Sequence, residues 1–110
     1  MIKINIAPDA KEDLQDIKKY IAEKLNSPAA VNTVTKITKA IRWLANYPNS
    51  GKPLITDKEI TRNYRFLVCG NYLVFYQIKS EIVQILRILY GKKNYIKAVC
   101  GSIYEDELKE

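Results

Sequence analysis

The C-terminal half of the sequence constrains the fold most, because three β-rich runs follow one another with only two residues between them. The runs are YRFLVC (64–69), YLVFYQI (72–78) and EIVQILRILY (81–90), and the gaps are Gly70-Asn71 and Lys79-Ser80. Gaps of this length join neighbouring antiparallel strands, and Gly-Asn is the stronger turn signal of the two. The sequence therefore predicts a three-stranded antiparallel meander.

A strand and two helices are predicted before the meander. Ile2, Ile4 and Ile6 alternate with polar residues, as in a half-buried strand. Two stretches with apolar residues at helical spacing follow, and Asp9 and Ser27 are their predicted N-caps. The stripes are Ala10, Leu14, Ile17, Ile21 and Leu25 in the first helix, and Ala30, Val34, Ile37, Ile41 and Leu44 in the second.

These elements predict one α+β domain over residues 1–110. We expect a curved, mainly antiparallel four-stranded sheet with the helical hairpin on one face. The loop around YPNSGKPL separates the helices from the meander, and residues 98–110 form an acidic tail with four carboxylates and one lysine.

The two turns assign side chains to faces of the sheet. One face receives Arg65, Tyr72, Tyr76 and Arg87, with Tyr72 opposite Arg87, among Leu67, Cys69, Val74 and Ile85. The other face is wholly apolar and receives Phe66, Val68, Leu73, Phe75, Leu86 and Ile88. We expect the helices to cover the apolar face, because burying an unpaired cation costs several kcal/mol. A three-residue second turn would move Arg87 to the other face.

Composition excludes several kinds of chemistry. The chain has no histidine and two cysteines, Cys69 and Cys100, so it lacks a zinc ligand set and every histidine-assisted nucleophile. We expect free thiols and neither cofactor nor metal. No apolar run approaches the roughly 20 residues of a membrane span, and we expect a cytoplasmic protein. The net charge of +6 favours an acidic or polyanionic partner.

The order of elements and several stretches resemble the RelE/ParE superfamily of bacterial toxins. The resemblance spans about residues 2–95 and depends on PDAKEDLQDIKKYIAEKLNSPAA, YPNSGKPL, YRFLVCGNYLVFYQI and EIVQILRILYGKKNY. It implies the toxin of a type II toxin–antitoxin module, of the kind associated with plasmid stabilization. It also implies a cognate antitoxin, acidic and partly disordered when free.

Within the superfamily the chain is most similar to the ParE branch, which poisons DNA gyrase. RelE-type ribonucleases have lysines where this chain has Tyr64 and Phe66, and an arginine where it has Leu73. Many members have a histidine at the position of Tyr90. Gyrase poisoning, without chemistry of its own, is therefore the first hypothesis. Ribosome-dependent mRNA cleavage by an mRNA interferase is the second, and an inactive partner-binding member is the third.

Candidate site residues follow from the polar face and the basic strand end. If the chain is a nuclease, the candidate catalytic residues are Arg65, Arg87, Lys92, Lys93 and Tyr95. The candidate partner-binding residues are Lys52, Arg65, Tyr72, Tyr76, Arg87, Tyr90, Lys92 and Lys93. Ordinary structural roles compete with these hypotheses, because strand tyrosines pack well in cores and arginines often form surface ion pairs.

Overall fold

The described part of the chain folds into two helices and five strands in the order β1-α1-α2-β2-β3-β4-β5. The computed structural model describes residues 2–54 and 63–91. The helices are α1 (Pro8–Lys24) and α2 (Ser27–Trp43). The strands are β1 (Lys3–Ile6), β2 (Lys52–Pro53), β3 (Tyr64–Cys69), β4 (Tyr72–Lys79) and β5 (Ile82–Tyr90). The predicted α+β class and order of elements are confirmed, and neither described helix is long and apolar enough to cross a membrane.

Within residues 2–54 and 63–91 the sheet has five strands rather than the predicted four, in the order β1-β5-β4-β3-β2. The additional strand is β2, where Lys52 and Pro53 pair with the start of β3. A proline is tolerated there because an edge strand needs no further N–H donor on its outer side. β1 is parallel to β5 and the other pairings are antiparallel, so the sheet is mixed.

Both helices begin earlier than the predicted caps imply, α1 by two residues and α2 by one. Ala7 occupies the N-cap of α1 without a side-chain hydrogen bond, and Asp9 lies within the first turn, so it is not the cap. Pro8 explains the difference, since its fixed φ suits the first helical position. Asn26 rather than Ser27 caps α2, and its side-chain oxygen accepts the Ala29 N–H at 2.8 Å.

The first hairpin has the predicted register, and the second does not. Cys69 pairs with Tyr72 across a turn in which Gly70 has φ 59°. The second turn is Ser80-Glu81 rather than Lys79-Ser80, with φ values of 53° and 62°. A turn with positive φ at both positions has the twist that matches the right-handed twist of the two strands. This requirement outweighs the weak turn preference of Lys79-Ser80.

A β-bulge then changes the face assignment of Arg87. The β4–β5 register shifts between Phe75 and Tyr76, so Tyr76 pairs with Ile85 and Phe75 pairs with Arg87. The predicted pairing of Tyr72 with Arg87 is therefore wrong, and Tyr72 pairs with Tyr90 instead. An extra residue in one strand reverses every following side chain, which the turn residues alone could not reveal.

The helices cover the face of the sheet that was expected to stay open. The main core joins both helices to the face that carries Val74, Tyr76 and Ile85, all fully buried. Six residues of the predicted stripes supply its helical side: Ala10, Leu14, Ile17, Ile37, Ile41 and Leu44. Leu25, at the hairpin tip, is instead 72% exposed. The opposite face has a smaller cluster of Leu54, Leu73 and Phe75. The expectation failed because the polar groups of the covered face have partners, which removes the cost of burying them.

Candidate functional site

Tyr76, a predicted partner-binding residue, is a buried hydrogen-bonding centre under the loop after α2. Its ring is completely buried, and its hydroxyl donates to the Pro48 carbonyl oxygen at 2.8 Å. The same hydroxyl accepts the Gly51 N–H at 2.9 Å. Burial raises the pKa of Tyr76 above its ordinary value of 10.0, against smaller lowering by the Gly51 hydrogen bond and Arg65. The phenol is therefore neutral and engaged on both sides.

Arg65 lies opposite Tyr76 on β3 and holds the same loop. Its Nη1 atom donates to the Gly51 carbonyl oxygen at 2.8 Å and to the Asn49 carbonyl oxygen at 3.4 Å. Lys52 follows immediately on β2 and is exposed. The predicted residues Lys52, Arg65 and Tyr76 are thus brought together at one place, where Arg65 and Tyr76 fix the backbone that presents Lys52.

Gly51 is required at this place by space rather than by its backbone angles. A Cβ atom added there would lie 2.5 Å from the Tyr76 hydroxyl oxygen and 2.8 Å from the Phe66 carbonyl oxygen. Both distances are shorter than real Cβ contacts. The loop can therefore approach the sheet only because residue 51 has no side chain.

Arg87, a candidate catalytic residue, is bound by a carboxylate of α1. Its Nε and Nη2 atoms donate to the two Asp13 carboxylate oxygens at 2.8 and 3.0 Å. Asp13 also accepts the Ile88 N–H at 2.9 Å. The hydrogen bond to Asp13 is the main reason that the pKa of Arg87 is raised, so this guanidinium keeps its proton and cannot act as an acid or a base.

Asp13 accepts a hydrogen bond from the edge of β5 beyond the point where β1 ends. β1 pairs with β5 only as far as Ile85, and the Ala7 N–H adds one bond to the Ile85 carbonyl oxygen. Beyond Ile85, α1 lies beside this edge and Asp13 supplies the acceptor for the Ile88 N–H. Sequence reasoning missed Asp13, because a carboxylate on an exposed-looking helix gives no signal of its partner.

Tyr72 and Tyr90 form an aromatic pair at the other end of the sheet. Their ring centroids are 5.7 Å apart in an edge-on arrangement with an interplanar angle of 62°. Burial raises the pKa of Tyr72, with smaller raising contributions from Tyr90 and Tyr20. Tyr20, on α1, is 61% exposed.

The predicted site residues are therefore divided among three places. Lys52, Arg65 and Tyr76 lie at the loop after α2, Arg87 lies at the β5 edge, and Tyr72 and Tyr90 lie at the opposite end of β4. Lys92, Lys93 and Tyr95 are outside the described residues. Within residues 2–54 and 63–91, no three His, Cys, Asp or Glu residues are grouped in a way that could hold a metal ion.

A further surface was missed by sequence reasoning and lies on α2 and the turn that follows it. Trp43 and Tyr47 are each 53% exposed, and their rings stack with centroids 4.4 Å apart and an interplanar angle of 29°. Lys36, Lys39 and Arg42 are exposed on the same helix, which has no acidic residue. The four-residue spacing of the two aromatics and the three-residue spacing of the cations were the available signals.

Comparisons with known proteins agree with this architecture. Residues 4–95 match the family model described as ParE toxin of type II toxin–antitoxin system, parDE. The chain is 29% identical over 85 residues to Toxin ParE1 of Caulobacter vibrioides, covering 77% of this chain and 84% of that protein.

Two solved structures share the fold. A chain of the chromosomal ParDE system from P. aeruginosa superposes with a TM-score of 0.70 at 20% identity, covering 82% of this chain and 96% of that one. A chain of the RelBE2 toxin–antitoxin complex from Mycobacterium tuberculosis gives a TM-score of 0.59 at 20% identity, covering 81% and 96%. Because the family model spans most of the sequence, the chain belongs to the ParE toxin family of type II toxin–antitoxin systems.

Proposed function

We propose that this chain inhibits bacterial growth by poisoning DNA gyrase, and that an acidic antitoxin holds it inactive. The family match and the similarity to Toxin ParE1 support the ParE side of the superfamily. The gyrase target itself is our inference from that membership. The chain would act by binding, without bond-making chemistry of its own.

The observation that carries this proposal is the engagement of Arg87 by Asp13. A nuclease that uses Arg87 to stabilise a phosphorane needs this guanidinium to face the phosphate. Here two of its nitrogens already donate to one carboxylate. Arg65 likewise donates to two backbone carbonyl oxygens, and Tyr76 is fully buried. These three residues therefore favour a structural role over a catalytic one.

An antitoxin partner is supported by charge and by the structural neighbours. The chain has a formal net charge of +6, which suits an acidic partner. The two similar structures come from a ParDE system and from a RelBE2 toxin–antitoxin complex. A partly disordered antitoxin that folds on binding could cover much of so small a domain.

Controlled expression in a bacterium, with two readouts from one culture, tests the proposed target. We expect gyrase-trapped DNA breaks and induction of the DNA-damage response, with messenger RNAs left intact by primer extension. New translation-dependent mRNA ends without DNA breaks would instead support RNA cleavage. In that case Lys92, Lys93 and Tyr95 become the first residues to substitute, because their side chains supply the cations and the acid that such cleavage needs.

Normal growth with neither signal would contradict both activities. The protein's folding must be checked in the same cells, by its solubility and its cooperative unfolding after purification. A folded chain without either effect would be a family member that only binds a partner.

A further inference from the structure

We infer that the exposed face of α2 binds single-stranded nucleic acid, with phosphates on Lys36, Lys39 and Arg42 and a base on the Trp43–Tyr47 pair. This site does not depend on the proposed gyrase target, because it is assigned from the surface of the chain alone. It involves no bond-making step.

The three cations form one continuous ridge. Lys36, Lys39 and Arg42 follow at three-residue steps, so each is displaced from the last by about 4.5 Å along the helix and about 60° around it. All three side chains are exposed. None of them forms an ion pair with any of residues 2–54 and 63–91. Their charge is thus available to an external anion.

The absence of acids distinguishes this ridge from an ordinary charged helix surface. α2 carries three cations and no carboxylate, whereas α1 mixes four lysines with five carboxylates. A mixed surface such as that of α1 is typical of a solvated helix, because neighbouring opposite charges compensate one another. An uncompensated row of cations instead complements a row of phosphates.

The aromatic pair gives the ridge a second, independent property. Trp43 lies seven residues after Lys36 and four after Lys39, which places it on the same side of α2. Its ring stacks on the Tyr47 ring with centroids 4.4 Å apart, and each of the two residues is 53% exposed. Exposed aromatic rings beside cations are the arrangement that proteins use to stack unpaired bases while binding the backbone.

This combination favours a single strand over an acidic peptide. An acidic peptide would pair with the three cations, but it need not supply a planar ring that stacks on the aromatic pair. A duplex offers phosphates, but its bases are already stacked on one another. Nothing in the ridge tells deoxyribose from ribose, so DNA and RNA strands of equal length should bind alike.

Intrinsic fluorescence provides the test, because Trp43 is the only tryptophan of the chain. The purified full-length protein is titrated with an eight-residue oligothymidylate and an eight-residue oligouridylate. We expect saturable quenching of Trp43 emission by both. An abasic oligomer of the same length should bind at least about tenfold more weakly, because it keeps the phosphates and lacks the bases.

Two variants separate the two properties of the site. Tyr47→Ala keeps the reporter and should weaken oligothymidylate binding by about tenfold. Lys36→Gln/Lys39→Gln should reduce the slope of log affinity against log salt by about 1.4, because two phosphate contacts are lost. The matched control is Lys18→Gln/Lys19→Gln, at two exposed positions of α1. It should leave the affinity and its salt dependence unchanged. Circular dichroism confirms that each variant is folded.

Three results would overturn the proposal. Absence of quenching by either oligonucleotide would mean that no base reaches Trp43. Equal affinity for the abasic oligomer, or for polyglutamate of the same charge, would mean that the ridge attracts anions without recognising bases. If Lys18→Gln/Lys19→Gln weakened binding as much as Lys36→Gln/Lys39→Gln does, the binding would depend on net charge and not on this face of α2.

Discussion

Tyr76 is the residue on which the loop after α2 depends. Its place in a strand could be predicted from the YLVFYQI pattern, and so could its pairing with Arg65. Its role could not, because the partners of its hydroxyl are Pro48 and Gly51, 28 and 25 residues away. Sequence periodicity reflects neighbouring residues and does not reveal contacts between residues so far apart in the chain.

Removing the Tyr76 hydroxyl should destabilise the fold. In Tyr76→Phe the Pro48 carbonyl and the Gly51 N–H lose their partner, and we expect a loss of about 1–3 kcal/mol in the free energy of unfolding. Urea denaturation measures this loss. An unchanged unfolding midpoint would mean that the two backbone groups find other partners.

Gly51→Ala should destabilise the protein because the new methyl group meets the Tyr76 hydroxyl oxygen, at a cost of about 1–3 kcal/mol. Tyr76→Phe removes that oxygen but leaves the Phe66 carbonyl oxygen, which a Cβ at residue 51 would also meet, at 2.8 Å. The double variant should therefore lose somewhat less stability than the sum of the two single losses. Simple additivity would mean that the clash with the Phe66 carbonyl oxygen, rather than with the Tyr76 hydroxyl, sets the cost. Gly70→Asn is a suitable control, because a Cβ at Gly70 has open space and asparagine tolerates its positive φ.

Stability should fall in alkali because of Tyr76. Its folded pKa is raised, so the unfolded phenol releases its proton from about pH 10 while the folded phenol keeps it. The unfolded state then binds fewer protons, and the free energy of unfolding decreases as pH rises through the interval between the two pKa values. Unfolding measured from about pH 8 to about pH 11 should show a shallower decrease in Tyr76→Phe. An identical decrease in both proteins would contradict this assignment.

At the scale of elements, the β4–β5 hairpin was the least predictable part. The strands themselves follow from apolar runs, yet the turn lies one residue later than Lys79-Ser80 suggests and a bulge follows Phe75. A shift of the turn by one residue leaves the composition of both strands almost unchanged and hardly alters their apolar periodicity. Only the packing of β5 between β1 and β4, with Asp13 at its edge, selects this register.

Asp13 should contribute more to stability than Arg87 does. Asp13→Ala removes the acceptor of the Ile88 N–H as well as the ion pair, and we expect a loss of about 2–3 kcal/mol. Arg87→Ala leaves the bond between Asp13 and Ile88, but it also leaves a carboxylate that is 13% exposed without its cation, so a loss of about 1–2 kcal/mol is expected. Urea denaturation of both variants gives the comparison. A larger loss for Arg87→Ala would show that the guanidinium, rather than the carboxylate, secures the edge of β5.

At the scale of the whole molecule, the order of elements and the family could be predicted, whereas the covered face of the sheet could not. The family follows from patterns that extend over nearly the whole chain and was confirmed by the match over residues 4–95. The face assignment failed because Arg65 and Tyr76 were judged as unpaired polar groups. Their partners lie on a loop that only the tertiary structure brings close.

The net charge should govern how fast the antitoxin is captured. With a formal charge of +6, association with an acidic antitoxin should slow at least about tenfold between low and high salt, while dissociation changes little. Stopped-flow or surface-based kinetics would measure both rates. Salt-independent association would mean that long-range attraction has no part in the encounter.

Gyrase poisoning is the central claim, and a cleavage assay with purified components tests it most directly. Purified gyrase, supercoiled plasmid and the folded toxin are incubated with ATP, and the products are treated with detergent and protease. We predict linear plasmid that accumulates only when gyrase and toxin are both present, and that disappears when the antitoxin is added first. Plasmid that stays supercoiled at saturating toxin, while the same preparation cleaves ribosome-bound mRNA, would contradict the claim.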